Sequence, residues 1–342
     1  MVNHVQFPGL GLSMTLDRVA FTIGGMNIYW YGICIAFGLL LAMVFALKKS
    51  RSFGVNDDRL IDVIFLSTLC AIVGARAYYV MFAPFQYNSF AEMIDIRDGG
   101  VAIYGAVIAA FLSGWLFCRL RKIPVLPAFD LTAMGFLLGQ GIGRWGNFFN
   151  QEAFGTNTSL PWGMYSESTN SYLAGMQQKL LESGVAVNPA LPVHPTFLYE
   201  SLWCLLGFFL LWAYSRHRRF NGEILLLYFI WYGVERAFVE GLRTDSLDTV
   251  FGLRVSQVLA VVSALAALVI WLVLRKKYQE KPLMVTYDFT VFPGQKASPL
   301  VTMTWRASDP MPTQDAIALA WRQTKPLPVG VWHWAKETTN HG

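Results

Sequence analysis

Seven stretches of the chain are long and apolar enough to be read as bilayer-crossing helices: 27–47, 59–82, 99–118, 129–148, 196–214, 222–241 and 255–274. A helix rises about 1.5 Å per residue, so about 20 mainly apolar residues cover the hydrocarbon core. Residues 1–26 are too polar and Gly-rich to span and are read as an external, interfacial arm. They lack the basic n-region and small-residue cleavage site of a signal peptide, so the first apolar run is expected to persist as helix. Between the fourth and fifth runs, 149–195 is long enough for a small external cap. The pattern changes near 281: residues 281–342 are Pro-punctuated and mixed in charge, with no apolar run long enough to span. Within that tail VTYDFTVF (285–292) alternates as a strand does, and AIALAW (316–321) suits one short helix. The expectation is an all-α polytopic membrane protein with seven transmembrane helices over 27–280 and a cytosolic tail over 281–342.

Charge changes the picture by orienting it. Of 342 residues, 54% are apolar and 14% charged, against about 25% charged in an ordinary soluble domain. The net charge of +5 would suit nucleic acid only if the cations formed a patch. Instead they cluster at span ends, as KKSR (48–51), CRLRK (118–122), SRHRR (215–219) and RKK (275–277). These four sites share one side of the membrane only if there are seven spans, and that side is cytoplasmic. The N-terminus and the loops 83–98, 149–195 and 242–254 then face outward, and the C-terminus is cytoplasmic. Cys34, Cys70, Cys118 and Cys204 all lie in or at the ends of apolar runs without metal-ligand spacing, and read as small buried hydrophobes.

The polar residues inside the spans sort by depth. In the fourth run, Gly135, Gly139, Gly143 and Gly146 form a small-residue stripe, while Gln140, Arg144 and Asn147 occupy another face. Gly146 beside Asn147 is a plausible end for that helix. In the sixth run, Tyr232, Arg236, Glu240 and Arg243 fall on one helical face, with Glu235 at its margin. Arg76 lies about 9 Å below the outer end of the second run. Tyr104 comes early in the third, Tyr31 early in the first, and His194, Tyr199 and Glu200 open the fifth. Buried charge in a bilayer is costly and usually functional, although single arginines near helix ends also snorkel. As a set, these residues predict one arginine-rich cavity in the outer leaflet.

Several guanidinium groups at phosphate depth suit an anionic head group, because they bind phosphate bidentately and stay charged. Glu240 and Glu152 are placed to orient them or to accept a proton, and Asn147 and Asn150 supply neutral donors and acceptors. GxSxG, HExxH, CxxC and P-loop motifs are missing from the sequence. An external-leaflet phospholipid is therefore the expected substrate class. A transporter would carry polar residues through both leaflets, whereas here they stop in the outer half. A lipid-binding scaffold without turnover would tolerate loss of Arg144 or Glu152.

The segment GRWGNFFNQEAFG (143–155) resembles the signature of the bacterial prolipoprotein diacylglyceryl transferases, with Gly143, Arg144, Gly146, Asn147, Phe148, Asn150, Glu152 and Gly155 in register. The similarity covers most of 1–280. It includes the WYG of the first run, the GxR of the second, the GG-x3 before Tyr104, the HP-x3-YE of the fifth and the YG-x2-R-x3-E-x2-R of the sixth. The resemblance implies transfer of the sn-1,2-diacylglyceryl group of phosphatidylglycerol to the lipobox cysteine of a preprolipoprotein signal peptide, with release of glycerol 1-phosphate. It implies no cofactor, and a place in the bacterial cytoplasmic membrane with the site toward the outer leaflet. It makes Arg144 and Arg236 the leading catalytic residues with Tyr104 and Glu240, and Tyr31, Arg76, Asn147, Asn150, Glu152, His194, Tyr232 and Arg243 substrate-binding. Two departures stand out: Tyr104 occupies a position where many members carry a His, and the tail exceeds the usual family length. A tyrosine, titrating near pH ~10, is a poor base at neutral pH, which leaves His194 and Glu240 as alternative proton acceptors.

Overall fold

The computed structural model describes residues 2–83, 87, 89–95, 99–244, 249–250, 253–291, 300–324 and 332–333. In chain order these form strands β1 (Val2–Phe7), β2 (Leu12–Asp17), β3 (Val19–Ile23) and β4 (Met26–Tyr29) and helices α1 (Trp30–Ser50), α2 (Asp57–Met81), α3 (Phe90–Ile94), α4 (Ile103–Leu120) and α5 (Val125–Asn150). Then come β5 (Tyr165–Ser166), α6 (Glu167–Glu182), α7 (Thr196–Tyr214), α8 (Glu223–Leu242), β6 (Thr249–Val250), β7 (Leu253–Arg254) and α9 (Val255–Lys277). The tail adds β8 (Met284–Thr290), β9 (Leu300–Arg306), α10 (Gln314–Thr324) and β10 (Trp332–His333).

The protein is mostly helical, and among the described residues six helices are long and apolar enough to cross a membrane: α1, α2, α4, α5, α7 and α9. The run expected at 222–241 is present as the 20-residue α8, but Glu223, Glu235, Arg236 and Glu240 make it too charged to count by composition. The expected end of α5 at Gly146 is corrected: the helix continues to Asn150. Gly146 serves close packing instead, since a Cβ there would stand 2.7 Å from the Tyr31 ring.

The chain divides into two compact units, Met1–Val44 with Thr132–Lys281, and Phe45–Leu131 with Pro282–Gly342. In the first, the glycine stripe of α5 meets α1. Gly135 faces Ala42, Gly139 faces Gly38 and Gly146 faces Tyr31, so the two helices run antiparallel in one unbroken register. Small residues there let the backbones approach, the favoured contact where lipid removes any hydrophobic advantage. Gly143, the fourth member, faces open space. Helices α7 and α8 are locked by Trp203 and Trp231, stacked at 4.4 Å, each indole N–H donating to the other's backbone carbonyl at 3.1 and 3.0 Å. The N-terminal segment and the 149–195 loop share one sheet of order β2-β1-β5. That sheet and α6, opened by a Ser166–Thr169 capping box, enclose Val5, Phe154, Met164, Leu173, Leu180 and Val193.

In the second unit α2 and α4 are neighbours through glycine again, Gly74 against Gly105 and Ala109. Asn56 caps α2 by accepting from the Arg59 amide, with Asp57 and Asp58 in the first turn. The tail is folded: β8 pairs antiparallel with β9, and Val285, Phe289, Met303, Trp305 and Ile317 form its core. The strand expected at 285–292 and the helix at 316–321 are both found, as β8 and α10. The β8 backbone crosses Gly54, whose φ of +71° and whose contact with the Thr286 carbonyl leave no room for a side chain. Tyr287 donates to Asp57 at 3.2 Å, and burial pushes its phenol pKa up to about 12, with the Asp57 charge adding to it.

Candidate active site

Within the first unit, three arginines gather around the carboxylate of Glu200, a residue expected in the cavity but without an assigned role. Glu200, one turn into α7, is fully buried, and its oxygens lie 3.0 Å from Arg144 of α5 and 3.3 Å from Arg236 of α8. Arg243 approaches it at 4.0 Å. Arg236 also pairs with Glu240 one turn along α8 at 3.0 Å, as the i, i+4 spacing predicts. The arginine side chains keep 21, 18 and 13% of their surface exposed, whereas Glu200 and Glu240 keep 0 and 3%. The carboxylates therefore stand behind and the guanidinium groups in front. Such an arrangement holds cations in place while leaving N–H donors available.

Arg243 reaches the cluster otherwise than expected. The helical run stops at Leu242, and Arg243 caps it in an extended conformation, φ −72° and ψ 151°. It forms a bridge with Gly155. Gly155 in turn donates from its amide to the His194 carbonyl at 2.9 Å, and Thr156 donates to the Leu242 carbonyl at 2.8 Å. The end of the signature thus ties the start of α7 to the end of α8. A Cβ on Gly155 would stand 2.8 Å from that of His194, which explains a glycine there. Between α5 and this junction, Gln151 and Ala153 adopt φ of +54° and +55°, a left-handed conformation that costs a non-glycine residue free energy.

The signature's polar residues form a second layer. Asn147 and Asn150 both donate to Glu152, at 2.9 and 3.3 Å, so Glu152 is held by two neutral amides. Arg18 donates to the Asn150 carbonyl at 2.7 Å and fixes the end of α5. Tyr31 lies against Gly146 on this same helix. Tyr232 stacks on Tyr228 at 5.8 Å, and Tyr228 accepts from Gln140 at 3.3 Å. His194 shares a hydrogen bond of 3.2 Å with Tyr199, which accepts from the Trp162 indole at 2.8 Å. Burial lowers the His194 pKa from its ordinary value, favouring the neutral imidazole. Glu235, only 3% exposed, has no hydrogen-bond partner on either oxygen among the described residues.

The remaining two predicted site residues belong to the second unit. Arg76 of α2 donates to four backbone carbonyls, and Tyr104 stands in the first turn of α4, 53% exposed. Glu200 was expected in the cavity but was given no catalytic or binding role of its own. Its signal was the HP-x3-YE motif that opens the fifth run.

The stretch that contains this cluster is similar to known sequences. The family model described as prolipoprotein diacylglyceryl transferase matches residues 18–273. A phosphatidylglycerol–prolipoprotein diacylglyceryl transferase of Finegoldia magna is 40% identical over 264 residues, 77% of this chain and 97% of the relative. One of Pediococcus pentosaceus is 42% identical over 269 residues, 78% of this chain and 93% of the relative. One of Bacillus mycoides is 39% identical over 271 residues, 79% and 96% of the two chains. The matched stretch runs from Arg18 through α8 and most of α9, so it contains the whole arginine–glutamate cluster and the signature turn that assembles it, and the chain belongs to the prolipoprotein diacylglyceryl transferase family.

Proposed function

We infer that the protein transfers the sn-1,2-diacylglyceryl group of phosphatidylglycerol to the lipobox cysteine thiol of a preprolipoprotein signal peptide, releasing glycerol 1-phosphate. The observation that carries this reading is the pair of arginines, Arg144 and Arg236, on one buried glutamate. In the reaction a sulfur–carbon bond forms at the glycerol carbon bearing the phosphate. The carbon–oxygen bond to that phosphate breaks, and the thiol proton passes to a base. The departing phosphate gains negative charge, and cations already fixed beside it lower the barrier without reorganising. Arg144 and Arg236 fill that role, with Arg243 as the third donor. Glu200 and Glu240 hold the guanidinium groups from behind. Asn147, Asn150, Glu152, Tyr31 and Tyr232 shape the head-group side, and Tyr104, His194 and Glu240 are the candidates nearest in type for proton transfer.

The same reading assigns α8 as a seventh crossing. Its charged residues then serve the site rather than disqualify the helix, since ionisable groups inside a membrane mark function. With seven crossings the basic clusters at 48–51, 118–122, 215–219 and 275–277 fall on the cytoplasmic side. The Arg144 cluster then opens toward the outer leaflet of the bacterial cytoplasmic membrane, and the 149–195 cap is external. The test uses purified protein, phosphatidylglycerol vesicles and a synthetic lipobox peptide with a free cysteine. A diacylglyceryl mass gain on the peptide with glycerol phosphate release, absent with Arg144→Ala, is the expected result. No gain beside an active relative run in parallel sinks the reading.

A further inference from the structure

Arg76 has none of the carboxylate surroundings of Arg144, Arg236 and Arg243. Its guanidinium faces main chain: Nε donates to the Met93 carbonyl at 2.7 Å, Nη2 to Glu92 at 2.9 Å, and Nη1 to Gly100 at 2.7 Å and Gly99 at 3.3 Å. The Tyr79 and Tyr87 rings lie 5.7 and 5.5 Å from its central carbon. All three nitrogens of the fork are thus engaged by carbonyls of α3 and of the two glycines before α4. Gly99 and Gly100 adopt φ of +92° and +73°, the conformation in which glycine turns two carbonyls toward one donor. A Cβ on Gly100 would overlap Arg76 Nη1 and come within 2.9 Å of the Tyr79 ring. Two residues on, the Ala102 amide donates to the Ala75 carbonyl at 3.0 Å, and α4 begins at Ile103. Tyr104 follows directly from this latch, as the second residue of the helix.

We propose that Arg76 is a positioning residue that fixes Tyr104 by latching residues 92–93 and 99–100 onto α2, and that it does not hold lipid phosphate. The GxR of the second run and the GG-x3 before Tyr104 are then two halves of one device. A lysine cannot replace its arginine half, because an ammonium lacks the planar fork that spans these carbonyls. The proposal rests on the transferase reading, in which Tyr104 belongs to the site.

The experiment measures kcat and KM for phosphatidylglycerol in vesicles, for the full-length protein and for Arg76→Ala, Arg76→Lys, Gly100→Ala, Tyr104→Ala and the double variant Arg76→Ala/Tyr104→Ala. A misplacement of about 1 Å can cost about 100-fold in rate. The expected result is a kcat loss of that order in Arg76→Ala, Arg76→Lys and Gly100→Ala, with KM changed less than about twofold, and a double variant no slower than Tyr104→Ala. Gly100→Ala is the decisive member, since it breaks the latch while leaving the Arg76 charge in place. Hydrogen exchange at residues 102–104 rises in the latch variants while that of the α2 amides is unchanged. Wild-type kinetics in Gly100→Ala or Tyr104→Ala, rescue by Arg76→Lys, or a tenfold rise in KM with Arg76→Ala overturns the proposal. A wild-type protein without product overturns the transferase reading instead.

Discussion

Two arginine environments contrast among the described residues, and each defines what the arginine can do. Arg144, Arg236 and Arg243 meet side-chain carboxylates that are more buried than they are. Arg76 meets backbone carbonyls and aromatic rings. A guanidinium backed by a carboxylate keeps its outward edge for a ligand. One surrounded by carbonyls has its donors spent on shaping the chain. Arginine beneath the membrane surface is therefore an ambiguous sign, and its partners, not its depth, decide the meaning.

The largest effect expected from breaking this contrast is on catalysis. Arg144→Ala or Arg236→Ala should lower product formation by about 100- to 1,000-fold, the size measured for loss of one preorganised donor at a developing charge. The peptide mass assay reads this directly, and each lysine variant should recover part of the loss because charge remains. Next comes the carboxylate behind. Glu200→Gln leaves two close guanidinium groups without their buried counter-charge, which should destabilise the fold by about 3–5 kcal/mol, seen as a lower Tm in detergent.

Much of this was legible in the primary structure, and the boundary is physical. The Arg236–Glu240 pair follows from helical periodicity, and the small-residue contact of α1 with α5 follows from the glycine stripe. Glu200 was legible as a member of the cavity but not as its centre, because its partners lie on other helices and nothing within α7 names them. The latch around Arg76 escaped for a different reason: carbonyl acceptors belong to every residue and leave no mark in side-chain pattern. The α5 terminus was misplaced by reading Gly146 as a stop when the glycine answers to the Tyr31 ring. The tail's strand and helix were visible as alternation and as a short amphipathic run, but not that they share a core around Trp305.

Two smaller effects sharpen the comparison. Burial lowers the His194 pKa below the ordinary 6.5, so the unfolded chain takes up that proton more readily than the folded one. Stability is then full above about pH 6.5 and declines as the pH falls below it. Thermal melts at pH 7.5 and 5.5 should differ less in His194→Gln than in wild type. The smallest change is expected for Glu235→Gln, within about 1 kcal/mol of wild-type stability by chemical denaturation, because no hydrogen bond to that carboxyl is lost. A loss as large as that of Glu200→Gln would place Glu235 among the residues holding the arginines.

The carboxylates behind the arginines also bear on which anions the cluster takes. Three guanidinium groups share their surroundings with Glu200 and Glu240, and Glu235 lies within electrostatic reach of all three. Two of the three positive charges are therefore already offset before any lipid arrives. The cluster does not act as a sink for whatever phosphate the medium holds. Occupancy becomes an exchange, in which a head group must compete with an internal counter-ion that never leaves, and acyl chains that keep the lipid in the bilayer give it the advantage a free anion lacks.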